Sequence, residues 1–171
     1  MTSDFQVQKS TVIEQQAIDV VIMAAGKGTR MKSPLPKVLH PLAGRALVHH
    51  VLDTVQALNV RRAAIVTGHG AMEIEASCLA YTGATAPFII NFVRQEPQLG
   101  TGHAVQQAVP VLPDDGVVLV LSGDVPLTQP VTLLHLLEGS AGANLALLTL
   151  EMANPSGYGR IVRGAGGAVQ A

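Results

Sequence analysis

The chain has 171 residues, of which 48% are hydrophobic, so it fits one domain with a full core and disorder is not expected. The formal net charge of −1 argues against nucleic-acid binding by overall charge, and the 3% of aromatic residues offer few platforms for stacked bases. Cys78 is the single cysteine, which excludes an internal disulfide and a zinc site built from cysteines.

The amino-terminal residues and the lengths of the apolar runs predict where the protein works. Residues 1–17 are polar and aperiodic, which predicts a flexible arm and not a secretory signal. No apolar run reaches the roughly 18 residues that a membrane-spanning helix needs. We therefore expect a cytoplasmic protein that binds no membrane.

Short apolar runs alternate with stretches of helical periodicity along the rest of the chain. Strands are predicted over residues 18–23, 63–67, 88–93, 117–121 and 144–150, with a terminal hairpin over 157–162, 164–167 and from 168 onward. Helices are predicted over residues 47–58, 71–80, 101–109 and 130–138. The alternation predicts an α/β fold in one domain over residues 18–171, with a Rossmann-like, mixed but mainly parallel sheet and helices on both faces.

A long aperiodic loop, residues 26–44, follows the first strand. Four of the chain's 11 Lys and Arg residues lie close together in it: Lys27, Arg30, Lys32 and Lys37. Small residues before them let backbone N–H groups approach phosphate oxygens, and the cations neutralise phosphate charge. In an open parallel sheet this loop lies at the edge where ligands bind. The pattern predicts a polyphosphate site and disfavours a mobile surface loop with solvated lysines.

Two familiar phosphate-binding templates do not fit this loop. The dinucleotide fingerprint requires a third glycine at the position of Met31. The P-loop requires Gly-Lys-Ser or Gly-Lys-Thr after a four-residue gap, and the loop has none. The sequence therefore disfavours a plain NAD site and a Walker-type ATPase.

The loop before the third helix has features of a base-binding turn. Gln95 offers an amide that can pair with a base edge, and Gly100 permits close backbone approach. Thr101 is predicted to be the helix N-cap. An ordinary capped turn remains an equal alternative from the residues alone. His103 is interpreted as a surface or packing residue in preference to a ligand or base.

An acidic residue, Asp124, follows the fourth and most hydrophobic strand. At the sheet rim it would face the same crevice as the basic loop. Mg²⁺ commonly joins one or two carboxylates to substrate phosphates, so Asp124 is the candidate metal ligand. The alternative is an Asp that caps a turn.

Three strings resemble one family in order along residues 18–171: AAGKGTRMKSPLPKVLHPLAG at 24–44, QLGTGHAVQQA at 98–108 and GYGRI at 157–161. They are similar to the N-terminal uridylyltransferase domain of the bacterial bifunctional N-acetylglucosamine-1-phosphate uridylyltransferase/glucosamine-1-phosphate acetyltransferases. The Gly-Thr-Arg part alone is shared by many sugar-nucleotide pyrophosphorylases. The resemblance implies the nucleotide-diphospho-sugar transferase type of fold.

The resemblance also implies roles for individual residues. Arg30 and Lys37 would be catalytic, with Arg30 stabilising charge and Lys37 binding phosphate, and Asp124 would bind Mg²⁺. The remaining nucleotide- and substrate-binding residues would be Ala24, Ala25, Gly26, Gln95, Gly100, Thr101, Ser122, Gly123 and Gly159. Gln95, Gly100 and Thr101 would hold the uracil end, and Gly159 the sugar side. Ser122 departs from the family, which often has an aromatic residue there.

The implied reaction is uridylyl transfer from UTP to N-acetylglucosamine 1-phosphate, giving UDP-N-acetylglucosamine and pyrophosphate for cell-envelope precursors such as peptidoglycan and lipopolysaccharide. The family domain continues past residue 171, and its acetyltransferase β-helix and most trimer contacts have no counterpart here, so homo-oligomerisation stays open. Two alternatives also remain: a nucleotidyltransferase for another sugar phosphate or cofactor, and a catalytically silent nucleotide-binding fragment.

Overall fold

A computed structural model describes residues 16–83, 86–140, 145–167 and 169–170. Most of the predicted amino-terminal arm, residues 1–15, lies outside the described residues. The strands are β1 (Ile18–Met23), β2 (Pro41–Leu42), β3 (Arg45–Ala46), β4 (Arg62–Thr67), β5 (Ile89–Arg94) and β6 (Val117–Ser122). The helices are α1 (Leu47–Ala57), α2 (Ala71–Thr82), α3 (Thr101–Ala108) and α4 (Pro130–Ser140). Among the described residues, no helix has both the length and the apolar character needed to cross a membrane.

The main sheet has the order β5-β4-β1-β6, and all of its pairings are parallel. Met23 at the end of β1 is in register with Val66 of β4 and Ser122 of β6, so the carboxyl ends of the strands lie at one edge. The chain fills the β4 and β5 positions on one side of β1 and then returns to place β6 on the other side. This reversal between β1 and β6 is a topological switch point, where open α/β sheets bind ligands.

Helices cover both faces of the sheet, as predicted. Val20 and Ile22 of β1 are fully buried against α1, α2 and α4, whereas Val21 faces Ala104 and Ala108 of α3. The consecutive apolar residues of β1 thus serve two cores, which is typical of a strand in a covered parallel sheet. The predicted α/β fold class is confirmed, and the first four predicted strands and all four predicted helices agree with the structure to within two residues.

The loop after β1 is more ordered than its aperiodic sequence predicts. It contains two short 3-10 helices, Thr29–Met31 and Lys37–Leu39, and then the antiparallel pair β2 and β3. Arg45 of β3 donates hydrogen bonds to Asp53 on α1 and Tyr81 on α2. The end of the loop is therefore anchored to two helices of the body.

The predicted strand over residues 144–150 is wrong in its described part, because residues 145–150 form no strand. Leu145 is 73% exposed and Leu150 is 81% exposed. A strand requires partners for its backbone N–H and C=O groups, and this segment has none among the described residues. The predicted terminal hairpin is formed in part among the described residues, where an antiparallel bridge joins Arg163 to Val169 and the Gln170 amide donates to the Val162 carbonyl at 2.8 Å.

Beside β6, α4 and residues 145–148 lies a groove of about 1110 Å³. Among the described residues β6 pairs only with β1, and its residues line this groove. Val118 and Val120 of β6 are 43% and 42% exposed. This region therefore has apolar side chains that the described residues leave partly exposed.

Candidate nucleotide site

A cavity of about 580 Å³ opens at the carboxyl edge of the sheet, over the switch point between β1 and β6. Loops from β1, β5 and β6 contribute to its walls, together with the first residues of α3. Ten of the twelve predicted site residues line it: Ala24, Ala25, Gly26, Arg30, Lys37, Gln95, Gly100, Thr101, Ser122 and Asp124. Residues separated by up to 100 positions are brought to one surface by the parallel order of the strands.

Backbone groups line the part of the cavity next to β1. The Ala24 amide donates to the Val66 carbonyl at 2.8 Å, which continues the β1–β4 pairing and fixes where the loop begins. The next amides differ, because those of Gly26, Lys27 and Gly28 donate to no acceptor among the described atoms. Unengaged amides in a tight loop form a concave surface for anionic oxygens.

Three charged side chains lie at the cavity. Lys37 forms an ion pair with Asp124, which joins the loop after β1 to the turn after β6. Arg30 also lines the cavity, and its side chain is exposed. Gly28, at φ 60°, lets Lys37 approach, because a Cβ on Gly28 would lie 2.8 Å from the Lys37 Cβ. Two cations and one carboxylate therefore lie on the wall of one cavity, and such a set of charges can bind a polyphosphate and its counterion.

Asp124 is positioned by the strands below it. The Gly123 amide donates to the Met23 carbonyl at 2.9 Å, so β1 and β6 stay paired one residue beyond β6. The Val125 amide then donates to the Ser122 carbonyl at 3.2 Å and closes a turn with Asp124 inside it. Asp124 therefore lies in a turn, and its carboxylate is directed to Lys37.

The opposite wall contains a buried amide. Gln95 is 3% exposed, and its Nε2 donates to the Gly100 carbonyl at 2.8 Å and lies 3.3 Å from Nδ1 of His103. These contacts hold the Gln95 amide in one orientation at the cavity wall. The interpretation of His103 as a packing residue agrees with its position between Gln95 and Gln107.

The predicted N-cap is wrong by one residue. The helix α3 begins at Thr101, Gly100 occupies the N-cap position at φ 96°, and no side chain caps the helix. Gly100 takes this position because its backbone conformation is accessible to glycine, and its carbonyl accepts from both Gln95 and Ala104. The positive end of α3 nevertheless lies at the cavity, as expected for an anion site.

Two predicted site residues do not line the cavity. Gly123 lies behind it, where a Cβ would come within 3.1 Å of the Met23 carbonyl oxygen and 3.2 Å of Val38. Gly159 is exposed and lies in the segment after α4 that forms no strand. No pairing in the described chain holds Gly159 near the other residues.

The structure adds five residues to the cavity wall besides Gly28: Met23, Met31, Val38, Gln98 and Ala104. Gln98 is the most informative, since its Nε2 donates to the Ala25 carbonyl at 2.7 Å. It lies three residues after Gln95 in the same loop, and that proximity was the available sequence signal. The four apolar residues carried no signal that separates them from the core.

Another polar cluster lies between α1 and α2. The ring of His49 stacks on Tyr81 with centroids 4.1 Å apart, and its Nε2 lies 2.9 Å from the Ser77 hydroxyl. Burial lowers the pKa of His49 and, with the hydrogen bond to Asp53, raises the pKa of Tyr81. These residues line neither the cavity nor the groove. Their contacts therefore join the two helices.

Comparison with known sequences places the chain in a family. Residues 20–162 match the family described as the MobA-like NTP transferase domain. The chain is 70% identical over 146 residues to the bifunctional protein GlmU of Polaromonas naphthalenivorans and 65% identical over 154 residues to that of Acidovorax ebreus. These alignments cover 85% and 90% of this chain but 31% and 32% of the relatives. The chain thus spans about a third of the length of these relatives.

Solved structures with a similar fold include a synthase and a nucleotidyl transferase. The 4-diphosphocytidyl-2C-methyl-D-erythritol synthase of Anaerococcus prevotii aligns with a TM-score of 0.63 at 20% identity, over 93% of this chain and 64% of that chain. A nucleotidyl transferase from Methanothermobacter thermautotroptrophicus aligns with a TM-score of 0.57 at 27% identity, over 71% and 57%. With the family match over residues 20–162, the fold and the cavity at its switch point, this chain belongs to the MobA-like NTP transferase domain family and is a nucleotidyltransferase domain similar to the N-terminal part of bifunctional GlmU proteins.

Proposed function

We propose that the cavity binds UTP and catalyses uridylyl transfer to N-acetylglucosamine 1-phosphate, with release of pyrophosphate. The observation that carries this proposal is that Arg30 and the paired Lys37 and Asp124 line the same cavity as the buried Gln95 amide. The volume of about 580 Å³ lies within the usual range for small-molecule sites. The similarity to GlmU proteins supports the choice of base and sugar.

In this proposal the triphosphate lies along the loop after β1. The amides of Gly26, Lys27 and Gly28 bind phosphate oxygens, and Lys37 neutralises their charge. The Gln95 amide pairs with the uracil edge, beside the backbone of Gly100 and Thr101. Ala24, Ala25, Ser122 and Gly123 shape the nucleotide end, and Gly159 is assigned to the sugar side.

The reaction requires little proton transfer. A phosphate oxygen of the sugar phosphate attacks the α-phosphorus of UTP, the bond from that phosphorus to the bridging oxygen breaks, and pyrophosphate leaves with the electron pair. The attacking oxygen is already anionic, so no strong general base is needed. The protein's contribution is alignment and charge stabilisation, and Arg30 serves the charge that develops on the α-phosphoryl group.

The donors at the cavity fit a Mg²⁺ ion bound partly by substrate. Asp124 supplies the one carboxylate among the described residues that line the cavity, and no cluster of three His, Cys, Asp or Glu side chains forms elsewhere in the described chain. Mg²⁺ is commonly held by one or two carboxylates together with phosphates. A Mg²⁺ ion bound to Asp124 would neutralise phosphate charge next to Lys37.

The test uses the purified chain with each of the four nucleoside triphosphates, N-acetylglucosamine 1-phosphate, and Mg²⁺ or a chelator. We expect pyrophosphate release with UTP and Mg²⁺, and loss of release with the chelator. Asp124→Asn should lower the rate of pyrophosphate release and raise the Mg²⁺ concentration needed for it, whereas Asp114→Asn, which changes an exposed acid away from the cavity, should leave both unchanged. Absence of binding for all four nucleotides in calorimetry contradicts the proposal.

A second candidate is a nucleotide-binding domain without turnover. The observation that favours it is the exposure of residues 145–150 together with the position of Gly159 outside the cavity, which leaves the sugar side of the site open. UTP binding in calorimetry without pyrophosphate release would support this candidate over the first.

A further inference from the structure

We infer that Gln98 is a positioning residue that couples the base-binding side of the cavity to its phosphate-binding side. The inference rests on the proposed function, because it concerns how one nucleotide contacts both sides. The base side is the loop from Gln95 to Thr101, and the phosphate side is the loop from Ala24 to Arg30. Gln98 donates its Nε2–H to the Ala25 carbonyl at 2.7 Å and so joins the two loops across 73 residues of sequence.

The base-side loop is otherwise held at its start by the Gln95 backbone amide, which donates to the Thr67 carbonyl of β4 at 2.8 Å, and by contacts within itself and with α3. Gln95 bonds to Gly100 in the same loop and to His103 on α3. Leu99 is 69% exposed, and Glu96 and Pro97 are also exposed. Among the described side chains, Gln98 therefore provides the hydrogen bond that crosses from this loop to the loop after β1.

A third loop leaves space for this contact. A Cβ on Gly68, which follows β4, would lie 2.7 Å from the Gln98 Nε2 and 3.2 Å from both the Cβ and the carbonyl oxygen of Ala25. Because β4 lies between β1 and β5, the loop after it passes directly under the Gln98–Ala25 hydrogen bond. The absence of a side chain at Gly68 is what allows the two outer loops to meet.

The coupling has a functional consequence. A nucleoside triphosphate contacts the base side with its base and the phosphate side with its phosphates. Its affinity therefore depends on the distance between these two sides of the cavity. Ligands that occupy one end do not depend on that distance. The α-phosphorus lies between the two ends, so its alignment for attack also depends on the coupling.

The test replaces Gln98 with a side chain of similar length that lacks the donor. Gln98→Met should weaken UTP binding roughly three- to tenfold, as expected for the loss of one hydrogen bond, and should also lower kcat. Binding of uridine alone and of inorganic tripolyphosphate alone, measured by competition, should remain within about twofold of the parent. The matched control is Gln106→Met, an exposed glutamine on α3 outside the cavity, which should leave all of these values unchanged.

Gly68→Ala tests the same contact without changing Gln98. The added Cβ should displace the Gln98 amide and reproduce the selective loss of UTP affinity. In combination with Gln98→Ala its effect should be less than additive, since the amide it would displace is already absent.

The outcomes separate the inference from the proposed function. If the parent binds no UTP, the proposed function is wrong. If the parent binds UTP and Gln98→Met binds it equally well, the inference is wrong and the proposed function stands. Equal weakening of UTP and of either fragment also overturns the inference, because it shows that Gln98 contacts the ligand directly.

Discussion

The cavity at the carboxyl ends of the strands and the groove beside β6 are both concave, but different chemical groups line them. The groove is the larger, at about 1110 Å³ against about 580 Å³, and no charged side chain is among the described residues that line it. The cavity has Arg30, Lys37 and Asp124 at its wall. The opposite charges on its wall, and not the size of the depression, make the cavity the candidate site.

The two regions also differ in how they are held. The loops around the cavity are anchored by β1, β4 and β6, whose backbone pairing continues past the strand ends through Ala24 and Gly123. The segment 145–150 at the groove has no such pairing among the described residues. Because paired backbone fixes the positions of the side chains that follow it, the residues of the cavity wall have defined positions relative to one another. Residues 145–150 lack this pairing and share only their mainly apolar character.

The rate of thiol labelling should show the largest difference between the buried core and the groove. Burial raises the pKa of Cys78 from 9.0 to about 12, so its thiolate fraction at pH 8 is roughly a thousandth of the ordinary value. Cys78 should therefore resist iodoacetamide until the protein unfolds. Leu147→Cys adds an exposed thiol at the groove, which should label at the rate of a free cysteine, as followed by mass spectrometry. Rapid labelling of native Cys78 would contradict the closed core.

Arg30→Gln tests the cavity itself. We expect kcat to fall about 100- to 1000-fold with little change in UTP affinity, because charge on the α-phosphoryl group develops mainly in the transition state. Lys32→Gln is the matched control, since Lys32 is an exposed cation in the same loop that does not line the cavity. Steady-state kinetics and calorimetry provide the two readouts. Equal kcat in the Arg30 variant and the parent would remove Arg30 from the mechanism.

Gly28→Ala tests whether the loop after β1 is closely packed around Lys37. The variant should lose about 1–3 kcal/mol of unfolding free energy, because φ 60° is strained for alanine and the new Cβ would meet Lys37. Gly26→Ala should cost much less, since a Cβ there meets no atom within 4 Å. Urea denaturation of both variants provides the comparison. A larger loss for Gly26→Ala would show that the packing around Lys37 is different.

Leu147→Ala should have the smallest effect. Leu147 is 51% exposed at the groove, so its truncation should change the unfolding free energy by less than about 0.5 kcal/mol. UTP affinity should also stay the same, because Leu147 lines the groove and not the cavity. A measurable change in UTP affinity would show that the two regions are coupled.

The residues alone predicted the body of the fold. Apolar β-branched runs such as Ile18–Met23 and the helical spacing after Ala46 report burial directly, since each pattern is local. The same rule gave a wrong strand over residues 144–150, because an apolar run predicts the tendency to pair but not the presence of a partner. The N-cap at Thr101 was wrong for a related reason, since Gly100 satisfies the helix start through its own backbone conformation.

The candidate site was predictable in its residues and not in its geometry. Arg30, Lys37, Gln95 and Asp124 all follow strands of a parallel sheet, and that topology brings them to one edge. The Lys37–Asp124 ion pair and the Gln98–Ala25 hydrogen bond depend on strand order and on space left by glycines. The amino-acid sequence by itself determined which groups could bind a nucleotide, because charge and hydrogen-bonding capacity belong to single residues. Only the tertiary structure decided which of them touch, because contacts between distant residues depend on how the strands are ordered and packed.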